Sequence, residues 1–263
     1  MDFQLKGKTV LVTASSMGIG RSVAESFIQE GCNVAICART KNQLIQTAQE
    51  IKNSYGIEPL WCVCDINAEK DISNTVEVVR SNFGAIDILV NNCGGPISGI
   101  FENLSDENWQ NAFEQVLLST IRFSRKVLPN MKEKRWGRII NITSIAVKQP
   151  LENLMLSNSL RNGVVGFAKT LSNEVGRYNI TINNVAPGYT LTKRLYELSV
   201  SRAKITGESH EHTLAEMAKE VPLQRLGRPD EIAASVVFLA SEQAAYITGN
   251  TIQVDGGLFK GIY

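Results

Sequence analysis

Short apolar runs rich in β-branched residues alternate along the chain with longer amphipathic segments. The pattern predicts strands at 9–13, 33–38, 60–64, 88–91, 138–142, 181–186 and 251–254. It predicts helices at 19–30, 41–55, 69–83, 106–134 and 154–177, and another beginning at 229. Strands with so few polar positions are typical of parallel sheets covered by helices on both faces. We therefore predict a three-layer, doubly wound α/β fold with a seven-stranded, mostly parallel sheet.

Local signals support the ends of these helices. Gly31 is a natural C-terminal cap for the first helix, and Ser105 is a natural N-cap before the acidic residues that open the fourth. Pro229 followed by Asp230 and Glu231 is typical of a helix start. The sequence has no internal repeat, low-complexity tract or linker, so residues 1–263 are expected to form a single domain.

Composition narrows the class of protein. Hydrophobic residues make up 43% and charged residues 20%, which is ordinary for a globular protein. The 27 Lys and Arg residues nearly balance the 26 Asp and Glu residues, so neither nucleic acid nor an anionic membrane is expected as a partner. No apolar run approaches the ~20 residues that span a bilayer, and the N-terminus lacks the apolar stretch of a signal peptide. We expect a cytoplasmic protein.

Metal ligation is not predicted. The five cysteines, at 32, 37, 62, 64 and 93, are expected to be reduced core residues, with Cys62 and Cys64 on the same face of a strand. The only histidines lie in the segment His210-Glu211-His212, which could ligate a metal but is better explained as a solvated helix face.

A glycine-containing turn follows the first strand and opens the first helix. It reads Thr13-Ala14-Ser15-Ser16-Met17-Gly18-Ile19-Gly20. Glycines at such a turn let the backbone approach a diphosphate, which the helix N-terminus stabilises. This predicts a dinucleotide-binding Rossmann fold. Ala14 fits the turn only at negative φ, so we expect negative φ there.

The end of the second strand bears on which dinucleotide binds. An acidic residue there would accept the ribose 2′-hydroxyl of NAD, whereas this strand ends Ala38-Arg39. An arginine can pair with the 2′-phosphate of NADP. The alternative is that Arg39 is only a solvated loop residue. We predict NADP(H) in preference to NAD(H).

Five motifs in order and at consistent spacing make the chain resemble the short-chain dehydrogenase/reductase family. Besides the first turn, they are Asp65 after the third strand, Asn91-Asn92-Cys93-Gly94, Pro187-Gly188-Tyr189-Thr190-Leu191-Thr192, and the pair Ile247-Thr248-Gly249 and Val254-Asp255-Gly256-Gly257. The resemblance covers nearly the whole chain. It implies that the cofactor is bound by Thr13, Ser15, Gly18, Ile19, Gly20, Arg39, Asp65, Asn91, Gly94, Arg161, Pro187, Gly188, Thr190 and Thr192.

The same resemblance points to a catalytic segment with replaced residues. In the family a Ser orients the substrate, a Tyr exchanges the proton, a Lys lowers the Tyr pKa and binds the nicotinamide ribose, and an Asn supports a proton relay. Here Ser144 matches the Ser, Ser157 stands at the Tyr position, Arg161 at the Lys position and Val116 at the Asn position. A serine hydroxyl is a poor proton donor, and an arginine stays protonated, so neither replaces the lost function fully.

Other residues could supply the proton. Tyr189 lies in the nicotinamide loop, Tyr196 begins the substrate-side segment, and Lys148 follows Ser144 closely. Each is more simply explained by packing or solvation, and Tyr189 is the best of the three. The polar segment 193–228 resembles the family's variable substrate lid. Apolar seams on the two long helices suit the family's four-helix interface, so a homotetramer or homodimer is expected.

Three functions follow from these residues. The first is an NADP(H)-linked oxidoreductase that acts on a small carbonyl or alcohol, with Ser144, Ser157 and Arg161 at the reaction site. The second is a nucleotide-binding protein without enzymatic activity, a sensor or regulator, because the cofactor motifs are kept while the Tyr, Lys and Asn are not. The third is non-redox chemistry on the same scaffold, such as a lyase or isomerase reaction.

Overall fold

The structure, a computed structural model, describes residues 2–262. Within that range one seven-stranded sheet runs in the order β3-β2-β1-β4-β5-β6-β7, and every neighbouring pair is parallel. The strands are β1 Thr9–Val12, β2 Asn33–Ala38, β3 Leu60–Val63, β4 Ile88–Asn91, β5 Gly137–Ile142, β6 Ile180–Pro187 and β7 Thr251–Val254. The predicted doubly wound fold is confirmed, and the sheet is wholly rather than mostly parallel.

Helices connect the strands close to the predicted bounds. They are α1 Gly18–Gln29, α2 Lys41–Tyr55, α3 Glu69–Phe83, α4 Asp106–Phe113, α5 Ser119–Lys134, α6 Met155–Val175, α7 Lys193–Thr206, α8 His210–Glu220 and α9 Pro229–Ala240. Ser105 caps α4 by accepting a hydrogen bond from the backbone of Asn108, as its position predicts. The polar segment 193–228 contains α7 and α8. No helix of the described residues is long and apolar enough to cross a membrane.

Two apolar clusters lie on opposite faces of the sheet. On β1, Val10 and Val12 belong to one cluster with side chains of α1 and α9, whereas Leu11 belongs to the other with side chains of α3, α5 and α6. Successive side chains of a strand point to opposite faces, so a strand that is apolar at every position needs cover on both sides. Both clusters together form the core that the continuous apolar runs predict.

Asparagines in register form a hydrogen-bonded ladder across four strands at the carboxyl end of the sheet. Asn91 of β4 donates to Asn141 of β5 at 2.9 Å, Asn141 donates to Asn184 of β6 at 2.9 Å, and Asn184 donates to Thr251 Oγ1 of β7 at 3.1 Å. The three asparagines are buried, and β-pairing sets them side by side. Asn141 and Asn184 both donate and accept through their side-chain amides, so the ladder links four neighbouring strands through the core.

A π-helical turn, Glu114–Leu118, interrupts the long helix predicted at 106–134. Two hydroxyls bond the carbonyls that this wide turn contains. Ser119 Oγ donates to Gln115 O at 2.6 Å, and Thr120 Oγ1 donates to Val116 O at 3.0 Å. Gly163 of α6 lies close to this turn, because an added Cβ there would be 2.9 Å from Leu117. Val116 is fully buried at the turn.

We expect Asn141→Leu to lower the free energy of unfolding by about 2–4 kcal/mol, because it leaves the Asn91 amide and the Asn184 carbonyl without their ladder partner in the core. Leucine has nearly the same shape, so lost hydrogen bonds rather than volume would cause the effect. Chemical denaturation measures it. Asn53→Leu on the exposed face of α2 is the matched control, with a change within about 0.5 kcal/mol. Equal losses in both variants would contradict the ladder's role.

Candidate active site

The carboxyl ends of β1, β4, β5 and β6 bring most of the predicted site residues to one edge of the sheet. Strand order reverses between β1 and β4, which lie side by side while their chain connections run to opposite sides. Ligands of doubly wound folds bind in the crevice outside this reversal. The structure therefore places the glycine-containing turn, the loop after β4, Ser144 and the loop after β6 around a common crevice.

The first turn of α1 is open to an anion. Its N-cap, Met17, provides no side-chain hydrogen bond to the backbone N–H groups of that turn. Gly18 has φ +57°, and an added Cβ would lie 3.3 Å from Thr192 Cγ2, so this turn and the loop after β6 nearly meet. At Gly20 an added Cβ would come within 2.7 Å of Ala14 O. The chain thus fits a cofactor diphosphate here. The backbone N–H groups at the start of α1 have no side-chain acceptor, and side chains in place of Gly18 and Gly20 would fill the space beside them.

Ala14 departs from the expectation that it has negative φ. The structure gives it φ +45°, in the left-handed region that favours glycine. The turn keeps this backbone shape because neighbouring groups hold it: Asn92 Nδ2 donates to Thr13 O at 3.2 Å and to Ala14 O at 3.0 Å. The expectation was wrong because these tertiary hydrogen bonds fix the turn whichever residue occupies it.

The hydroxyls of Thr13 and Ser15 form hydrogen bonds with backbone groups of the protein. Thr13 Oγ1 donates to Asn92 O at 2.6 Å and accepts from the Asn92 amide at 2.8 Å. Ser15 Oγ donates to Val12 O at 2.7 Å and accepts from the Cys37 amide at 3.2 Å. Both side chains are buried. They hold the turn between β1, β2 and β4, and direct cofactor contact by either stays a prediction.

Arg39 and Asp65 follow β2 and β3 at the same edge. Arg39 is exposed, and its guanidinium forms no ion pair or hydrogen bond with another residue of the described range. Asp65 is half-buried and accepts a hydrogen bond from the Asn67 amide at 3.0 Å. Arg39 is thus available to a 2′-phosphate, and one oxygen of Asp65 is already used.

The loop after β6 packs tightly against the C-terminal strand. An added Cβ on Gly188 would lie 2.7 Å from the Asp255 backbone, so only glycine fits. Thr190 is buried and donates to Gly188 O at 3.1 Å. Thr192 accepts from the Leu195 amide at 3.2 Å and so caps α7. The predicted cofactor loop therefore also fixes where the segment 193–228 begins.

Arg161 forms hydrogen bonds with the backbone at the end of β5. Its Nη1 donates to Ile142 O at 3.0 Å and to Thr143 O at 2.9 Å, and its Nε donates to Ser157 Oγ at 3.2 Å one turn earlier on α6. Arg161 is 7% exposed and Ser157 6%. Ser144 follows directly, is half-buried, and accepts from the Ala146 amide at 3.1 Å. The structure thus brings the three predicted reaction-site residues to one end of β5.

The three residues considered as alternative proton donors lie differently. Tyr189 donates its hydroxyl to Glu220 Oε2 at 3.0 Å, and burial together with the Glu220 charge raises the pKa of Tyr189 to about 12. Tyr196 is 50% exposed and stacks edge-on against His210, with ring centroids 4.9 Å apart. Lys148 is half-buried at the end of a short 3₁₀ turn after Ser144. A tyrosine held protonated by a carboxylate is a weak proton donor, so Tyr189 is no longer the best of the three.

Most of the cysteines and both histidines lie outside this crevice. All five cysteines are free thiols; Cys93 is half-buried and the other four are buried, as predicted for core residues. Burial raises the pKa of Cys32 to about 12 and that of Cys62 to about 11. His212 lies 3.5 Å from Glu208 on the exposed face of α8. Across residues 2–262 no group of three or more potential ligands is placed to hold a metal ion.

Arg194 is a residue of the crevice that sequence reasoning missed. It lies in the first turn of α7, is half-buried, and donates from Nη2 to Pro96 O at 2.7 Å in the loop after β4. Its position two residues after Thr192 in a polar segment suggested only a solvated lid. The usable signal was its closeness to Thr192, the last residue of the predicted cofactor loop.

The fold and this crevice define a dinucleotide-binding α/β protein. Residues 13–259 match the family model described as enoyl-(acyl carrier protein) reductase. The 3-oxoacyl-[acyl-carrier-protein] reductase FabG of Aquifex aeolicus is 34% identical over 259 residues, covering 98% of this chain and 100% of that protein. FabG of Escherichia coli is 36% identical over 259 residues, covering 98% and 99%.

Solved structures agree with this grouping. L-Sorbose reductase from Gluconobacter frateurii, complexed with NADPH and L-sorbose, superposes with a TM-score of 0.94 at 35% identity over 100% of both chains. A variant of actinorhodin polyketide ketoreductase with NADPH gives 0.94 at 33% identity, covering 99% of this chain and 100% of the other. The chain belongs to the short-chain dehydrogenase/reductase family of oxidoreductases. The predictions of family and fold are confirmed, and the prediction of NADP(H) agrees with these NADPH complexes.

We expect Ala14→Gly to raise the free energy of unfolding by about 0.5–1 kcal/mol, because relief of left-handed strain exceeds the added entropy of the unfolded chain. Chemical denaturation measures the change. Ala234→Gly on the exposed face of α9 is the control and should lose about 1 kcal/mol, because its backbone is helical. A loss at Ala14 as large as that at Ala234 would show that the turn is not strained.

Proposed function

We propose that this chain is an NADP(H)-linked oxidoreductase that acts on a carbonyl/alcohol pair with an incomplete set of catalytic residues. The observation that carries the proposal is the placement of Arg161 beside Ser157 and Ser144 at the end of β5, in the crevice that the glycine turn also faces. Relatives of the chain are named as reductases, and two solved neighbours hold NADPH.

The cofactor would be held by features on the β1 and β2 side of the crevice. Backbone N–H groups of the first turn of α1 would bind the diphosphate, and Arg39 would bind the 2′-phosphate with its free guanidinium. Arg161 would hold the nicotinamide ribose. When bound, the nicotinamide supplies or accepts the hydride.

The chain's own contribution to the reaction is hydrogen bonding at the substrate oxygen. Ser144 accepts from the Ala146 amide and Ser157 accepts from Arg161, so each hydroxyl keeps its hydrogen for donation. The Arg161 guanidinium stabilises negative charge that develops on this oxygen. The proton itself comes from water, because Tyr189 is held by Glu220 and Val116 offers no side-chain donor.

A second function has its own supporting observation. Most donors of Arg161 are taken up by backbone carbonyls and Ser157, and the Tyr, Lys and Asn of the family's relay are Ser157, Arg161 and Val116 here. A nucleotide-binding protein without turnover would need the cofactor features and nothing more. Such a protein would sense the NADP(H) state and pass it to a partner.

We expect Arg39→Ala to weaken NADPH binding about 10- to 100-fold and to leave NADH binding nearly unchanged, because only NADPH carries the 2′-phosphate that the guanidinium would contact. Fluorescence titration with both cofactors measures the ratio. Arg80→Ala, which removes an exposed arginine paired with Glu77, is the control and should change neither affinity. Equal weakening of NADPH and NADH by Arg39→Ala would contradict the NADP(H) assignment.

We expect the native protein to oxidise NADPH slowly with a panel of ketones and aldehydes. Ser157→Tyr combined with Arg161→Lys should raise the rate about 10²- to 10⁴-fold, because it installs a general acid. Single-turnover absorbance at saturating NADPH measures both rates. Ser159→Tyr, on the exposed side of the same helix, is the control and should give no gain. If the native protein binds NADPH but transfers no hydride to any carbonyl, the regulatory function replaces the enzymatic one.

A further inference from the structure

Two arginines reach the loop after β4 from opposite sides of the crevice. Arg194 comes from α7 and donates to Pro96 O at 2.7 Å. It passes over Gly95, where an added Cβ would lie 2.8 Å from the Arg194 Cζ, so a larger residue there would displace the guanidinium. Arg161 comes from α6, and its Nη2 lies 4.0 Å from Cys93 Sγ in the same loop.

Both guanidiniums have N–H groups that are not used in hydrogen bonds to nitrogen or oxygen acceptors of the described residues. The Nε and Nη1 groups of Arg194 have no hydrogen-bond acceptor among residues 2–262. The Nη2 group of Arg161 has only the distant sulfur of Cys93, whereas its other donors are used by carbonyls and Ser157. An arginine carries its N–H groups in a planar fork that suits the two oxygens of a carboxylate.

Neither arginine has a counter-ion within the described chain. No carboxylate oxygen there lies within 4.0 Å of either guanidinium, although arginines elsewhere, such as Arg21 and Arg225, pair with glutamates. Burial lowers the pKa of Arg194, the charge of Glu197 opposes this, and the charge of Arg161 adds to it. Two half-buried or buried like charges close together destabilise each other, and an anion between them would offset that cost.

The position of the pair favours substrate over cofactor as the source of the anion. The features suited to phosphates lie at the first turn of α1 and at Arg39, after β1 and β2. Arg194 and Arg161 instead flank the loop after β4 and the end of β5, on the side of Ser144 and Ser157. An anion there would be joined to the carbonyl that those serines contact.

We propose that Arg194, with the positive charge of Arg161 behind it, binds the carboxylate of the substrate, so that the carbonyl compound reduced here is an oxo acid. This rests on the proposed oxidoreductase function for the position of the carbonyl. In the ligand-free protein Arg194 bonds Pro96 O, and the free side of its guanidinium receives the carboxylate. Arg194 thereby selects substrates by charge.

The test compares oxo acids with their neutral esters as ligands of the NADPH-bound protein. Pyruvate, acetoacetate and levulinate differ in the spacing between carbonyl and carboxylate, and each has a methyl ester. Titration by saturation-transfer NMR gives the affinities without requiring turnover. We expect at least one acid to bind 10-fold or more tightly than its ester, as a charge-assisted pair requires. Arg194→Met should abolish that difference, and Arg194→Lys should keep part of it.

The control is Lys193→Met, which removes the exposed cation next to Arg194 and should leave the preference for acids intact. NADPH affinity is measured in every variant and should stay within twofold. No preference for any acid, or a preference that survives Arg194→Met, would overturn the proposal. A 10-fold loss of NADPH affinity in Arg194→Met would overturn it too, by assigning the anion to the cofactor's diphosphate. If no hydride transfer occurs, the proposed oxidoreductase function fails. The proposal for Arg194 is still tested, because these titrations measure binding and need no reaction.

Discussion

The asparagine ladder at the carboxyl end of the sheet is the constraint on which the site depends. It joins β4, β5, β6 and β7 through buried side chains that lie in register on neighbouring strands. A buried amide without a partner is costly, so a shift of any of these strands by one residue would break at least one ladder hydrogen bond. The loops that carry Cys93, Ser144 and Gly188 therefore start from fixed positions.

Arg161 links helix α6 to the strand that it packs against. Its guanidinium joins α6 to the end of β5 through two carbonyls, which holds the helix against the strand. The hydroxyl of Ser157 is oriented by the same side chain. The orientation of Arg161 and Ser157 is thus fixed by contacts with the backbone at the end of β5.

The fold could be predicted almost entirely from sequence, because apolar runs and cap residues are local signals. Lys41–Tyr55 and Glu69–Phe83 were predicted to the residue, and Ser105 was identified as a cap. The site was predicted less well where contacts between residues distant in sequence determine the backbone conformation or the acidity of a side chain. The positive φ of Ala14 depends on Asn92, which is 78 residues away, and the weakness of Tyr189 as an acid depends on Glu220. The π turn at Val116 and the reach of Arg194 into the crevice likewise have no local signature.

The contact between Arg194 and Pro96 also has a kinetic consequence. It joins the start of α7 to the loop after β4 by one hydrogen bond from a charged donor, which contributes roughly 1.5–3 kcal/mol. A single hydrogen bond of this strength can break and re-form on the timescale of loop motion without any rearrangement of the sheet. An anion on the free side of the Arg194 guanidinium would share that side chain with Pro96 O and so hold α7 against the loop after β4.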